Sequence, residues 1–162
     1  MIRGVIFAAS FAVLAACSPQ QSAEATPAAT AADAGIHPIS GLEVVPLTVS
    51  DGTTTHKFQV EVAASPLDQA KGLMFRTEMG PDEGMIFPRE QLAQASFWMK
   101  NTPLSLDIIF IGTDGRISNI AANTVPYSLE SVTSDGIAAA VLELNAGRAQ
   151  ELGIVAGNKV EW

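Results

Sequence analysis

Phe97–Ile111 reads FWMKNTPLSLDIIFI. An apolar-aromatic run, Phe97-Trp98-Met99, breaks into polar Lys100-Asn101-Thr102 ahead of Pro103. The proline pushes Thr102 towards an extended conformation and marks a bend. Leu104–Ile111 then carries one charge, Asp107, among Leu, Ile and Phe, and Gly112 ends the run. A short apolar stretch of this kind reads as a buried strand. A carboxylate inside it is costly to bury unless it is paired or hydrogen-bonded, so the sequence predicts a partner for Asp107.

Downstream, Gly112-Thr113-Asp114-Gly115 is a turn, which predicts a hairpin of Leu104–Ile111 with Arg116–Ala121. Asn123–Gly136 is polar and reads as a long loop. Ala138–Leu144 reads as a second buried strand bearing a carboxylate, Glu143. A short helix over Arg148–Leu152, ended by Gly153, and a closing strand over Asn158–Trp162 complete that side. Upstream, Leu42–Val49, with Pro46 suggesting an edge, and the alternating Lys57–Ala63 are strands joined by the turn Ser50-Asp51-Gly52. Ser65-Pro66-Leu67-Asp68 begins a short helix, with Ser65 as N-cap and Pro66 in the first position. Gly80–Gly84 is a loop, and Met85-Ile86-Phe87 is a brief strand that Pro88 stops. Seven or eight short strands and two short helices predict an α+β domain, mostly β. The expected architecture is a small curved or barrel-like antiparallel sheet.

Met1–Cys17 reads MIRGVIFAASFAVLAAC: one basic residue, Arg3, a short apolar core and a small-residue end. That is the layout of a secretory signal, too short for a comfortable membrane span. Leu14-Ala15-Ala16-Cys17 resembles the bacterial lipobox, which implies cleavage after residue 16 and acylation of Cys17. Residues 18–40 are Ala, Thr, Pro, Gln and Ser with little aliphatic content, so 17–40 is expected to be a lipid-anchored flexible tether. Such a tether spans on the order of 25 Å. His37 is expected to be solvated. Residues 41–162 form the single domain. Ser18, standing where many inner-membrane lipoproteins carry aspartate, points to the periplasmic face of the outer membrane. Loss of Arg3 with the signal takes the formal charge from −8 to −9. An acidic chain without a basic cluster has no long-range attraction for phosphate backbones, which excludes nucleic-acid partners. Cys17 is the only cysteine, so the domain has neither disulfide nor thiol chemistry.

Five blocks fall in a family order. They are Gly72-Leu73-Met74-Phe75-Arg76, Gly84-Met85-Ile86-Phe87, Phe97–Thr102, Leu106–Ile111 and Leu142-Glu143-Leu144-Asn145-Ala146-Gly147. Together they resemble the domain of unknown function 192 family over about residues 45–162. The resemblance implies a small, mostly-β domain, often secreted or lipid-anchored in bacteria, with no assigned activity. Arg76, Trp98, Lys100, Asn101, Asp107 and Glu143 occupy its motif positions.

Those six residues are the candidate ligand-binding set. Arg76 or Lys100 suits an anion, Trp98 an aromatic floor, and Asn101 a hydrogen-bonding edge. Asp107 and Glu143 are the only candidates for an acid–base pair. The competing reading has the same charges as buried ion pairs that fix strand register. Met74, Met79, Met85 and Met99, with His56, fit no metal-ligand spacing and read as core filler. No nucleophile elbow or glycine-rich phosphate loop appears, so no cofactor or metal is expected. The leading reading is a non-catalytic envelope lipoprotein that binds a small molecule, glycan or protein partner. The alternatives are a hydrolase of envelope saccharide using Asp107 and Glu143, and a structural or assembly factor. A pocket requires the six side chains to converge on an open cleft, whereas an assembly factor requires Asp107 and Glu143 sealed in ion pairs.

Overall fold

The computed structural model describes residues 35–162, together with Met1 and Gly4. The expected signal apart from Met1 and Gly4, Cys17 and most of the expected tether therefore lie outside the described residues. The elements are β1 (Gly35–Ile36), β2 (Glu43–Ser50), β3 (Thr55–Val62), α1 (Pro66–Lys71) and β4 (Glu83–Phe97). They continue as β5 (Leu106–Gly112), β6 (Ile117–Ala121), β7 (Val132–Asn145), α2 (Arg148–Glu151) and β8 (Lys159–Glu161). The strands form one sheet in the order β1-β2-β3-β4-β7-β5-β6, with β8 on β2. An Arg116–Lys159 bridge brings the start of β6 beside β8, but the sheet does not close into a barrel.

The expected mostly-β domain with two short helices is what forms, and the β2–β3 and β5–β6 pairs are the expected antiparallel hairpins. The sheet is mixed rather than wholly antiparallel, because β3 and β4 run parallel. Parallel neighbours need a crossover, and α1 with the following loop supplies it. Its N-cap forms as predicted, Ser65 accepting from the Asp68 amide at 3.1 Å. At the crossover's end, a Cβ on Gly84 would lie 2.5 Å from the Glu143 carbonyl, so only glycine lets β4 approach β7 there.

Three expectations are corrected. Pro88 does not end β4, which runs fifteen residues. Its β3 pairing stops at Ile86, so by Pro88 that edge needs no donor. The β7 register slips just beyond, between Pro88 and Ala93. The polar stretch read as a loop to Gly136 becomes strand from Val132, in a solvated two-stranded arm with β4. Ser134 braces that arm by accepting from the Ala95 amide at 2.9 Å. Thirdly, the order starts before Gly41. Gly35 and Ile36 pair with Val44 and Glu43, and His37 is partly buried rather than solvated.

Strand alternation divides the core in two. Ile86, Ile109, Ile111, Leu142 and Leu144 pack on one face with α2 and β8. Met85, Phe87, Ile108, Phe110 and Val141 pack on the other with Leu73 and Met99. Both clusters are drawn wholly from the compact unit Ala31–Trp162, so that segment carries its own core.

Two carboxylates lock this arrangement. Asp107 is fully buried on the first face. Its Oδ1 accepts from the Asn123 amide at 2.9 Å and the Gly147 amide at 3.1 Å, and its Oδ2 from Ala149 at 2.9 Å. Gly147, the N-cap of α2, has no side chain to cap with (φ +81), and a carboxylate on β5 caps the helix in its place. On the second face Arg76 grips Glu61 through two parallel hydrogen bonds of 2.8 and 3.0 Å. The His37 ring covers the pair, 3.6 Å from Glu61. Removing one partner of such a buried pair costs about 3–5 kcal/mol.

Four non-glycine residues are left-handed: Phe75 (φ +64), Asn101 (+56), Asn123 (+53) and Tyr127 (+60). Asparagine tolerates that region, whereas for Phe and Tyr it costs roughly 1–2 kcal/mol each. Two predictions follow from these constraints. Asp107→Asn keeps the shape but turns an amide N–H₂ towards amide donors, and should lower unfolding stability in urea by about 2–4 kcal/mol. An unchanged urea midpoint would show that the carboxylate is dispensable. Phe75→Asn and Tyr127→Asn should each raise stability by about 1 kcal/mol in the same assay. A loss instead would mean the exposed rings contribute to the fold.

Candidate functional site

The site is built on one cross-strand row. Glu61 pairs with Met85, Met85 with Glu143, and Glu143 with Ile108. Partners in a row share a face, so two carboxylates, Glu61 and Glu143, stand on the second face two strand spacings apart, about 10 Å. Glu61 is neutralised by Arg76. Glu143 is 5% exposed. Burial alone raises its carboxyl from 4.5 to about 8, with no charge or hydrogen bond opposing the shift. At neutral pH this group is largely protonated and can donate a hydrogen bond as well as accept one.

Glu143 and Phe87 lie at the bottom of a cleft of about 340 Å³, near the lower end of small-ligand sites. The last turn of α1 contributes Lys71 to one wall, β4 contributes Arg89, and the 97–102 turn contributes Trp98 and Lys100. The Lys100 ammonium sits 5.1 Å from the Trp98 ring centroid, a cation–π contact that pins both at the rim. Arg89 Nε is buried without a partner among the described residues. Among the described residues Glu143 is the sole acid lining this cleft, together with three basic side chains.

Of the six predicted site residues the structure therefore brings together three: Trp98, Lys100 and Glu143. Asn101 lies beside them and serves the turn. Its carbonyl accepts from the Phe75 amide at 2.8 Å, and its side-chain amide lies 3.8 Å from the Met74 sulfur. Arg76 faces a different cavity, between residues 39–42 and the end of α1, and Glu61 already occupies its guanidinium. Asp107 is on the opposite face of the sheet. Opposite faces rule out Asp107 and Glu143 as an acid–base pair. Nor are they sealed in ion pairs: Asp107 is held by backbone amides, and Glu143 has no partner among the described residues. Met85 and Met99 are buried in the second core, and Met79 packs against it. Among the described residues no three His, Cys, Asp or Glu side chains converge as metal ligands.

Sequence reasoning missed Glu61, Lys71 and Arg89. Glu61 sits at an ordinary polar position of an alternating strand, and only the strand order shows that it faces the core. Lys71 and Arg89 carry no local signal.

Comparison with known proteins places this geometry. The profile of the domain of unknown function 192 family, described as an uncharacterized ACR, matches residues 47–162. A crystal structure of a protein of unknown function from Novosphingobium aromaticivorans is similar at 53% identity and a TM-score of 0.79. That match covers 82% of this chain and 94% of the relative, so the crystallised relative is essentially this domain alone. A Sinorhizobium meliloti structure, described as a candidate transcription regulator, is similar at 40% identity and a TM-score of 0.69, covering 72% of this chain and 91% of that one. Among curated proteins there is no match. The matched profile and the high identity establish that this chain belongs to the domain of unknown function 192 family.

Proposed function

We propose that the protein is an envelope lipoprotein, anchored through acylated Cys17 at the periplasmic face of the outer membrane. Its cleft binds a small organic anion that carries hydroxyl groups, such as an acidic saccharide. The observation that carries this reading is Glu143: a carboxyl only 5% exposed, with no hydrogen-bond partner among the described residues, in a cleft also lined by Lys71, Arg89 and Lys100. A carboxyl held nearly dry at the surface of a cleft is a candidate for binding what enters it. The basic rim attracts an anion, the Trp98 face packs against a ring, and the neutral Glu143 carboxyl donates to a ligand oxygen. Hydrolysis is disfavoured because, among the described residues, the cleft offers Glu143 no second carboxylate. The lipobox-like Leu14–Cys17 supports the anchor, and stable attachment takes two acyl chains rather than one.

The sign of the Glu143 linkage makes the reading testable. Below about pH 4.5 the carboxyl is protonated in both folded and unfolded chains and carries no penalty. Between 4.5 and about 8 the unfolded chain ionises while the folded one resists, so stability falls as pH rises through this window. For residues 31–162, Glu143→Gln should match the parent at pH 4 and exceed it at pH 8 by about 3–5 kcal/mol. Coincident melting curves at both pH values would remove the neutral carboxyl. In the same assay at pH 7, galacturonate oligomers at a hundred times Kd should add about 2.7 kcal/mol. The shift should vanish in Glu143→Leu, which removes the donor that Glu143→Gln would keep, and in Arg89→Ala. A shift that survives both substitutions places the ligand elsewhere.

A further inference from the structure

Phe75 and Tyr127 are exposed by 72% and 62%, and both are left-handed. They hang from consecutive carbonyls of one turn. The Phe75 amide donates to Asn101 at 2.8 Å, and the Tyr127 amide donates to Thr102 at 3.1 Å. Asparagine or glycine suits this conformation better, so an aromatic at either position does not serve the backbone. Strain at an exposed, bulky side chain points to contact outside the molecule. The neighbouring surface agrees. Trp98, Val125 and Leu129 are exposed on the same turn and its partner loop, which the Met99 amide ties together at the Ser128 carbonyl, 3.0 Å away. An apolar patch of this make-up marks an interaction site.

Its occupant is indicated by where the chain enters. His37 lies 3.5 Å from Arg76, the residue after Phe75, so the N-terminal segment joins the domain on the Phe75 side. Seventeen residues separate Cys17 from Gly35, a reach of at most about 60 Å even when fully extended. Lys71 lines the same cavity as Phe75 and Ile39, and Lys100 precedes Asn101, while Asp68 and Glu78 in that cavity and Glu130 beside Trp98 and Val125 also border the face. Aromatic side chains among lysines are the composition that settles at lipid headgroup level, with rings in the interface and ammonium groups on phosphates. We infer that Phe75, Tyr127, Trp98, Val125 and Leu129 form a face that docks the domain onto the bilayer holding its own anchor. This rests on the lipid-anchor reading above, and Trp98 is the one side chain the face shares with the cleft.

The experiment separates the two. Residues 31–162 with an N-terminal His-tag and Trp162→Phe, which leaves Trp98 the sole tryptophan, are tethered to vesicles of phosphatidylethanolamine, phosphatidylglycerol and a nickel-chelating lipid. The nickel lipid replaces the acyl anchor, so the outcome does not depend on whether Cys17 is modified. Brominated lipids should quench Trp98 emission by roughly half, and the double variant Phe75→Asn/Tyr127→Asn, its fold checked by its urea midpoint, should reduce this to about a tenth. Equal quenching in both proteins overturns the inference. An unquenched Trp98 in the tethered parent overturns it as well, and gives the face to a protein or saccharide. Incorporation of labelled fatty acid at Cys17 in cells tests the anchor by itself.

Discussion

The pleat of β7 decides what chemistry this domain can do. Alternate residues of a strand face opposite ways, and β7 is the strand shared by β4 and β5. Glu143 therefore looks into one core while its neighbours Leu142 and Leu144 look into the other. Asp107, opposite Leu144, follows that second direction. One residue of register places the two carboxylates on different sides of the sheet, where no substrate can touch both. Each then acquires its own role. Asp107 caps a helix that cannot cap itself, and Glu143 closes the base of a cleft.

The row Glu61–Met85–Glu143 is in effect an internal comparison. Both carboxyls sit in the same layer at comparable depth, and their fates diverge because Arg76 reaches only one of them. A bidentate guanidinium satisfies the charge and the lone pairs of Glu61 together, so that pair is a structural clamp. Among the described residues Glu143 receives neither charge nor donor, and its burial raises the proton affinity instead. The second arrangement stabilises nothing in the fold, which is why it is the better candidate for function.

How much of this was legible depended on the range of the interaction. The α1 cap, Ser65 to Asp68, and the Gly112–Gly115 turn are local and read directly from residue type. The demand that Asp107 find partners was legible too, from the cost of burying a charge. That those partners are amides of Asn123, Gly147 and Ala149 was not, because it needs the β5–β7 register. Pro88 misled because a proline stops a ladder only where a donor is required, and the end of β3 at Ile86 removes the requirement on one edge. Glu61 and Arg89 were invisible for a related reason: strand order, not composition, turns one inward and sets the other beside the cleft. Left-handed Phe75 and Tyr127 carry no sequence signal, since the residue types argue against the conformation.

That last mismatch bears on how the turn at 97–102 works. The turn supplies Trp98 and Lys100 to the cleft, and from Asn101 and Thr102 it suspends the two strained aromatics. A fold optimised for stability alone would put asparagine or glycine at 75 and 127, and would give Glu143 a cation or a hydrocarbon. The same short segment adjoins all three departures. Costs concentrated at one place, while the rest of the core is conventionally packed, are the pattern expected where selection maintains contacts with something outside the chain. The two surfaces also meet at Trp98, whose ring belongs to the cleft rim and to the apolar face. A domain seated on a membrane by that face would hold its cleft close to the headgroups, where an anionic ligand is within reach of Lys100.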